Sequence, residues 1–214
     1  MKSIFLILAL LAPFAVNAGP ASDIAWTPET LNFVKAGFAE KGQILAKNCS
    51  GCHGEQGVST MPETPSLAGQ LATFTYKQLH DYAKGNRSNP VMEGIAKELS
   101  AQDKADLAAW FSTLPKASAK SDGQNLAKAE KMVAEGDGKR ILPPCSVCHG
   151  SNGQGEKMDI PALAGQQTDY LVKALMDYKS GERHNDIYSR MRLIAQQLSD
   201  QEIKDLGQYY QQLK

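Results

Sequence analysis

Apolar positions along the chain recur at helical spacing and nowhere alternate with period two over a useful length. Leu79 and Tyr82 share one face of a stretch that opens at Thr73 and closes at Gly85. Leu175 and Tyr178 do the same between Thr168 and Gly181, and glycine suits the left-handed end of a helix. A later stripe of Leu107, Phe111 and Leu114 follows Ser100 and Asp103; its twin of Leu206, Tyr210 and Leu213 follows Ser199 and Glu202. The second opening is a full Ser-x-x-Glu capping box and the first a weaker aspartate version. Nearer the start, Thr27 caps a helix with Pro28 at its first position, and another stretch runs from about Glu40 to Asn48. Its counterpart runs from near Asp122 to Gly136. The pattern predicts an all-α fold without significant sheet.

The pairing of these stretches reflects a repeat. An offset of 96 positions aligns Pro65 with Pro161 and Leu67-Ala68-Gly69-Gln70 with Leu163-Ala164-Gly165-Gln166. Leu79, Asp81, Tyr82, Gly85 and Arg87 likewise meet Leu175, Asp177, Tyr178, Gly181 and Arg183. Three extra residues enter the second copy after Asn185, and at an offset of 99 Met92, Ile95, Ala96, Leu99 and Ser100 meet Met191, Ile194, Ala195, Leu198 and Ser199. We read two domains, 23–115 and 122–214, joined by a polar linker at 116–121.

Residues 1–18 have a charged start, an apolar run from Ile4 to Leu11 and a Val16-Asn17-Ala18 cleavage site, which reads as a signal peptide. The run is too short to cross a bilayer, which takes roughly 20 residues. A periplasmic protein is therefore expected; an uncut signal would leave it peripherally associated with the membrane. Without Lys2, 22 basic residues face 23 acidic ones, a balance that argues against nucleic acid as a partner.

All four cysteines fall in two copies of one pattern, Cys49-Ser50-Gly51-Cys52-His53 and Cys145-Ser146-Val147-Cys148-His149. In a C-x-x-C-H motif the cysteines form thioethers with the haem vinyl groups and the histidine ligates the iron. Zinc held across both motifs would need unusual ligand spacing, a thioredoxin-like pair would need a strand-helix context, and plain disulfides leave the two histidines unexplained. Two domains of this size with few aromatics also bury limited apolar area, and a haem would supply much of each core. We therefore expect two covalently bound haem c groups.

A low-spin iron needs a second axial ligand. Met61, Met92, Met132, Met158, Met176 and Met191 are candidates, with His80 and His184 as nitrogen alternatives. Only Met92 and Met191 recur in matching surroundings, 39 and 42 residues beyond His53 and His149. His80 is opposed by Met176 and His184 by Ser88, which suits surface or helix-face residues. We take His53, Met92, His149 and Met191 as the iron ligands.

The motifs CSGCHG, PSLAGQ and MEGIAKELS, then CSVCHG, PALAGQ and MRLIAQQLS, resemble the dihaem cytochrome c4 family of class I c-type cytochromes, from about Lys41 to Leu213. The resemblance implies two tandem class I cytochrome c domains related by a pseudo-twofold axis. It also implies that the carbonyls of Pro65 and Pro161 accept a hydrogen bond from the proximal imidazoles. Arg87 and Arg183, each following a helix-ending glycine, read either as residues that face haem propionates or as solvated arginines. The expected function is one-electron carriage between a respiratory donor and a terminal oxidase or reductase, with no catalytic residue. The alternative is the dihaem subunit of a larger oxidoreductase with a flavoprotein partner, such as a flavocytochrome c sulfide dehydrogenase. A dihaem peroxidase or thiosulfate-oxidising enzyme would require an open or differently ligated iron. Residues 23–40 carry no assigned role.

Overall fold

The computed structural model describes residues 21–118, 120, 126–156 and 158–213. The expected signal peptide and part of the expected linker lie outside the described residues. In the first half the helices are α1 (Pro28–Lys35), α2 (Ala39–Ala46), α3 (Ser50–His53), α4 (Ala72–Lys84), α5 (Pro90–Lys97) and α6 (Ala101–Thr113), with a 3-10 turn at Lys47–Cys49. In the second they are α7 (Ala127–Glu135), α8 (Cys145–His149), α9 (Thr168–Ser180), α10 (Arg190–Gln196) and α11 (Asp200–Gln212), with a 3-10 turn at Ile187–Ser189. Among the described residues there is no strand, only the isolated bridges Asp137–Leu142 and Glu156–Ile160.

The helix ends follow the chemistry of their residues. Thr27 accepts the Thr30 N–H at 3.2 Å ahead of Pro28, and Gly85 and Gly181 close α4 and α9 in the left-handed conformation. Both capping boxes are complete: the Asp103 carboxylate accepts the Ser100 N–H at 2.9 Å and Glu202 accepts that of Ser199 at 2.8 Å. The shorter aspartate closes its box as well, and it also accepts the Ser100 hydroxyl at 2.6 Å.

Each half builds its own core. Ala46, Ala68, Leu107, Phe111 and Leu114 form one, and Ala129, Val133, Leu142, Leu171, Leu198, Ile203, Leu206 and Tyr210 form the other. Residues 23–40 gain a role here, since Ile24 and Trp26 pack on a third cluster of Val34, Tyr76, Ala105 and Ala108. The helix α2 crosses α6 so closely that a methyl group at Gly42 would sit 2.0 Å from the Asp106 carbonyl oxygen.

The approach to the motif differs between halves. The first reaches Cys49 through helix, whereas in the second α7 stops at Gly136 and a loop runs to Pro144. Arg140 fastens that loop: it donates to Asp137 at 2.8 Å, to the Gln197 carbonyl at 3.0 Å and to both Glu202 oxygens at 2.8 and 2.9 Å.

The two halves meet through a reciprocal pair of amides. The Gln70 side chain accepts the Ala162 N–H at 2.9 Å and donates to the Ala162 carbonyl at 3.0 Å. Gln166 accepts the Ser66 N–H and donates to the Ser66 carbonyl, both at 2.9 Å. Ser66 and Ala162 are equivalent in the repeat, as are the glutamines, so residue i grips j while j's twin grips i's. That reciprocity is the signature of a twofold relation. Equivalent carbonyls flank it: Pro62 accepts from the Tyr170 N–H at 3.2 Å and Met158 from the Thr73 hydroxyl.

Gln166→Leu leaves a buried N–H and a buried carbonyl of Ser66 without partners. It is expected to cost roughly 2–4 kcal/mol in denaturant unfolding, with little change in m-value. The Arg140 guanidinium and the capping serine hold Glu202 down at about 2 from its ordinary 4.5, despite opposition from partial burial. A depressed carboxylate contributes stability above its unfolded value and loses it as pH falls toward the folded one. Glu202→Gln should therefore flatten the loss of stability between about pH 4.5 and pH 2.

Candidate functional site

Each C-x-x-C-H segment is helical, running from the end of the Lys47–Cys49 3-10 turn into α3 in the first half and lying within α8 in the second, which sets its two cysteines three residues apart on one side. Gly54 and Gly150 end these turns at φ of 80° and 83°. The chain then folds back on itself. The Gly57 carbonyl accepts from Leu67 at 2.7 Å and Ala68 at 3.0 Å, and that of Gly153 from Leu163 at 2.8 Å and Ala164 at 3.0 Å. The returning segment of each loop is tied to the last helix, Gly69 N–H to the Phe111 carbonyl and Gly165 N–H to that of Tyr210, both at 2.8 Å.

This closure delivers a carbonyl to each histidine. His53 Nδ1 donates to Pro65 at 2.8 Å and His149 Nδ1 to Pro161 at 3.0 Å, with both residues only 7% exposed. The bond places the proton on Nδ1 and leaves the Nε2 lone pair available to a metal, while fixing the ring plane. Burial lowers both imidazoles' affinity for a second proton; the carbonyl works against it, and Arg190 reinforces it at His149. Neutral imidazole is the form that ligates iron.

The four cysteines form no disulfide. Burial pushes the Cys49 and Cys145 thiols up, so neither has the thiolate character of a redox-active dithiol. Both lie against the cores of their own halves. Among the described residues no group of three or more His, Cys, Asp or Glu could hold a metal, so the two motifs do not assemble a zinc site. Free cysteines on one helical turn beside an oriented, buried, neutral histidine fit a covalently attached haem.

The remaining candidates separate by surroundings. Met92 and Met191 sit half-buried in the first turns of α5 and α10, which pack on α4 and α9 respectively. Met132 and Met176 pack against the second core, and Met61 and Met158 are exposed. His80 meets Asp23 at 2.7 Å, and exposed His184 meets the Glu182 carbonyl at 3.2 Å.

A buried polar network lies between the halves. Lys77 and Asp81 pair at 2.5 Å with almost no exposure, and Asn185 from the second half bonds to both. Their equivalents, Lys173 and Asp177, form an exposed pair at 2.8 Å. Pattern reading missed this network because Gln78 and Asn185 reach it only through the contact between domains.

Residues 36–111 match the family described as "Cytochrome C oxidase, cbb3-type, subunit III", and residues 136–214 match "Cytochrome c". A cytochrome c4 from Pseudomonas aeruginosa is 37% identical over 180 residues, covering 83% of this chain and 90% of that protein. The chain belongs to the cytochrome c4 family.

The crystal structure of reduced recombinant cytochrome c4 from Pseudomonas stutzeri superposes with a TM-score of 0.81 at 36% identity, covering 84% of this chain and all of that one. A thiosulfate dehydrogenase electron acceptor from Stutzerimonas stutzeri strain A1501 is 34% identical, covering 77% of this chain and 78% of its own. As a cytochrome c4 the chain is a dihaem electron-transfer protein with two covalently bound haem c groups, built from two cytochrome c domains. The double substitution Cys145→Ala and Cys148→Ala should leave one covalent haem per chain by pyridine haemochrome and intact mass, against two in the parent.

Proposed function

We propose that this cytochrome c4 is a periplasmic carrier that moves electrons one at a time between respiratory redox proteins and breaks no substrate bond. The observation that carries the reading is the duplicated histidine geometry, an Nδ1–carbonyl bond of 2.8 Å in one half and 3.0 Å in the other, each beside a pair of free cysteines. The export segment at residues 1–18 supports the periplasmic assignment. Among the described residues no helix is long and apolar enough to cross a membrane.

In this reading Cys49 and Cys52 hold one haem and Cys145 and Cys148 the other. His53 with Met92, and His149 with Met191, would hold the two irons. Each haem supplies a ferric/ferrous couple when bound. The protein's part would be to keep these ligands in place in both states. Pro65 and Pro161 lock the imidazole planes and raise the basicity of Nε2, and burial shields the two histidines from water. With a histidine and a methionine holding each iron, neither iron would be open to peroxide or thiosulfate. Donor and acceptor then need only a transient contact, small and partly polar.

Likeness to a thiosulfate dehydrogenase electron acceptor favours a second reading, in which the donor is a thiosulfate-oxidising enzyme rather than a general respiratory protein. Stopped-flow reduction by a purified thiosulfate dehydrogenase separates the two. Co-purification of a flavin-containing subunit would instead favour the fixed-partner arrangement.

Met92→Ala and Met191→Ala, made singly, should each abolish the near-infrared methionine–iron band of one haem, halving its intensity, and lower that haem's potential. A spectrum unchanged by either substitution removes that methionine from the ligand set.

A further inference from the structure

The last helices of the two halves set the same aromatic ring at equivalent places. Phe111 in α6 and Tyr210 in α11 are 3% and 4% exposed and match one another in the repeat. The backbone carbonyl of each accepts a glycine N–H at 2.8 Å, from Gly69 or from Gly165. Each ring faces the glycine that turns the chain after its motif, Gly57 or Gly153. Each belongs to a core on which the first cysteine of its own motif packs, Cys49 in one half and Cys145 in the other. The chemical difference between the two rings is a single hydroxyl.

That hydroxyl is buried and makes no hydrogen bond of ordinary geometry. A native core rarely leaves such a group idle, because its hydration is lost and nothing replaces it. The neighbouring polar atom is the Cys145 sulfur. Burial pushes the Cys145 thiol up, and the Tyr210 phenol, donating toward the sulfur, opposes that push. The phenol itself is driven well above its ordinary 10 by burial and then by Cys145 and Tyr209, so it remains a donor. The Tyr209 ring meets it edge-on at 5.4 Å between centres and fixes its plane. Cys49 has no such donor; burial, followed by Cys52, pushes its thiol up.

Haem attachment changes what this sulfur can do. A free thiol carries a hydrogen of its own, so two donors face each other. A thioether sulfur has lost that hydrogen and can only accept. The orphaned hydroxyl then meets an acceptor.

We propose that Tyr210 is a tuning residue of the second haem site, its hydroxyl donating to the Cys145 thioether sulfur and setting that site's potential apart from the first, where Phe111 has nothing to donate. This rests on haem attachment through Cys145 and Cys148. A donor on the sulfur draws electron density away from the edge of the macrocycle and favours the reduced state, and in a buried core water does not screen the effect.

The test uses the loaded full chain, with natural or 34S-labelled cysteine, as the parent and as Tyr210→Phe and Phe111→Tyr. Resonance Raman spectra in H2O and D2O identify the C–S modes by the label, and spectroelectrochemical titrations give the two potentials. One C–S component of the parent should shift between H2O and D2O. Tyr210→Phe should abolish that shift and lower one potential while leaving the other in place. Phe111→Tyr should create a second deuterium-sensitive component and raise the potential that Tyr210→Phe left alone. Both variants should retain two haems by pyridine haemochrome. Phenylalanine already stands at this place in the first half, so Tyr210→Phe is expected to fold; should the added hydroxyl of Phe111→Tyr impair folding, Tyr210→Phe decides alone. A parent without a deuterium-sensitive C–S component overturns the proposal. A component that survives in Tyr210→Phe assigns the donor to bound water and overturns it too. So do potentials that stay fixed, or that fall together as a general loosening of the core would make them. Fewer than two haems in the parent would instead defeat the attachment reading itself.

Discussion

The bond from each proximal imidazole to a proline carbonyl twelve residues further on organises its domain. A histidine buried without that acceptor would carry an unsatisfied N–H and a rotatable ring. Supplying the acceptor requires the chain to fold back immediately after the C-x-x-C-H turn, which it does around the Gly57 or Gly153 carbonyl. The fold-back in turn needs a glycine. A methyl group at Gly57 would stand 3.0 Å from the Phe111 ring and one at Gly153 would stand 3.1 Å from the Tyr210 ring, both at positive φ. Motif, loop and final helix are thus one mechanical unit, and it occurs twice.

Around that shared unit the halves diverge in their electrostatics. The equivalent lysine–aspartate pairs share side chains and spacing, yet one is sealed and the other is wet. The sealing comes from Asn185 and the N-terminal segment, where Ser22 donates to Asp81 at 2.6 Å. Burial lowers the proton affinity of Lys77 while Asp81 opposes the shift, so the pair is held by mutual need. The two equivalent halves of one chain therefore differ in their electrostatic surroundings.

Much of this was legible in the sequence because it is local. Capping residues, C-terminal glycines and the Cys-x-x-Cys-His spacing act within a few residues, and the repeat made each reading check the other. The helices bearing Met92 and Met191 were the local feature passed over, although Asn89-Pro90 is a good opening: Asn89 accepts the Met92 N–H at 3.0 Å. What could not be read is what depends on two distant segments meeting. Gln70 and Gln166 stood out as a matched pair, but nothing in a linear pattern says that each grips the backbone of the other half. The three residues inserted after Asn185 produce a kink with Tyr188 and Ser189 at φ of 57° and 56°, a strain no propensity rule anticipates at those residue types.

The glutamine clamp has a consequence for symmetry. Both amides grip main-chain groups, so the contact does not depend on which side chain stands at Ser66 or Ala162. A single half already carries the amide and the backbone it seizes, which makes it self-complementary. The tether keeps the two copies together, and residues such as Gln78 on one side and Tyr170 on the other, which a symmetric pair of identical chains would carry twice, stand here once.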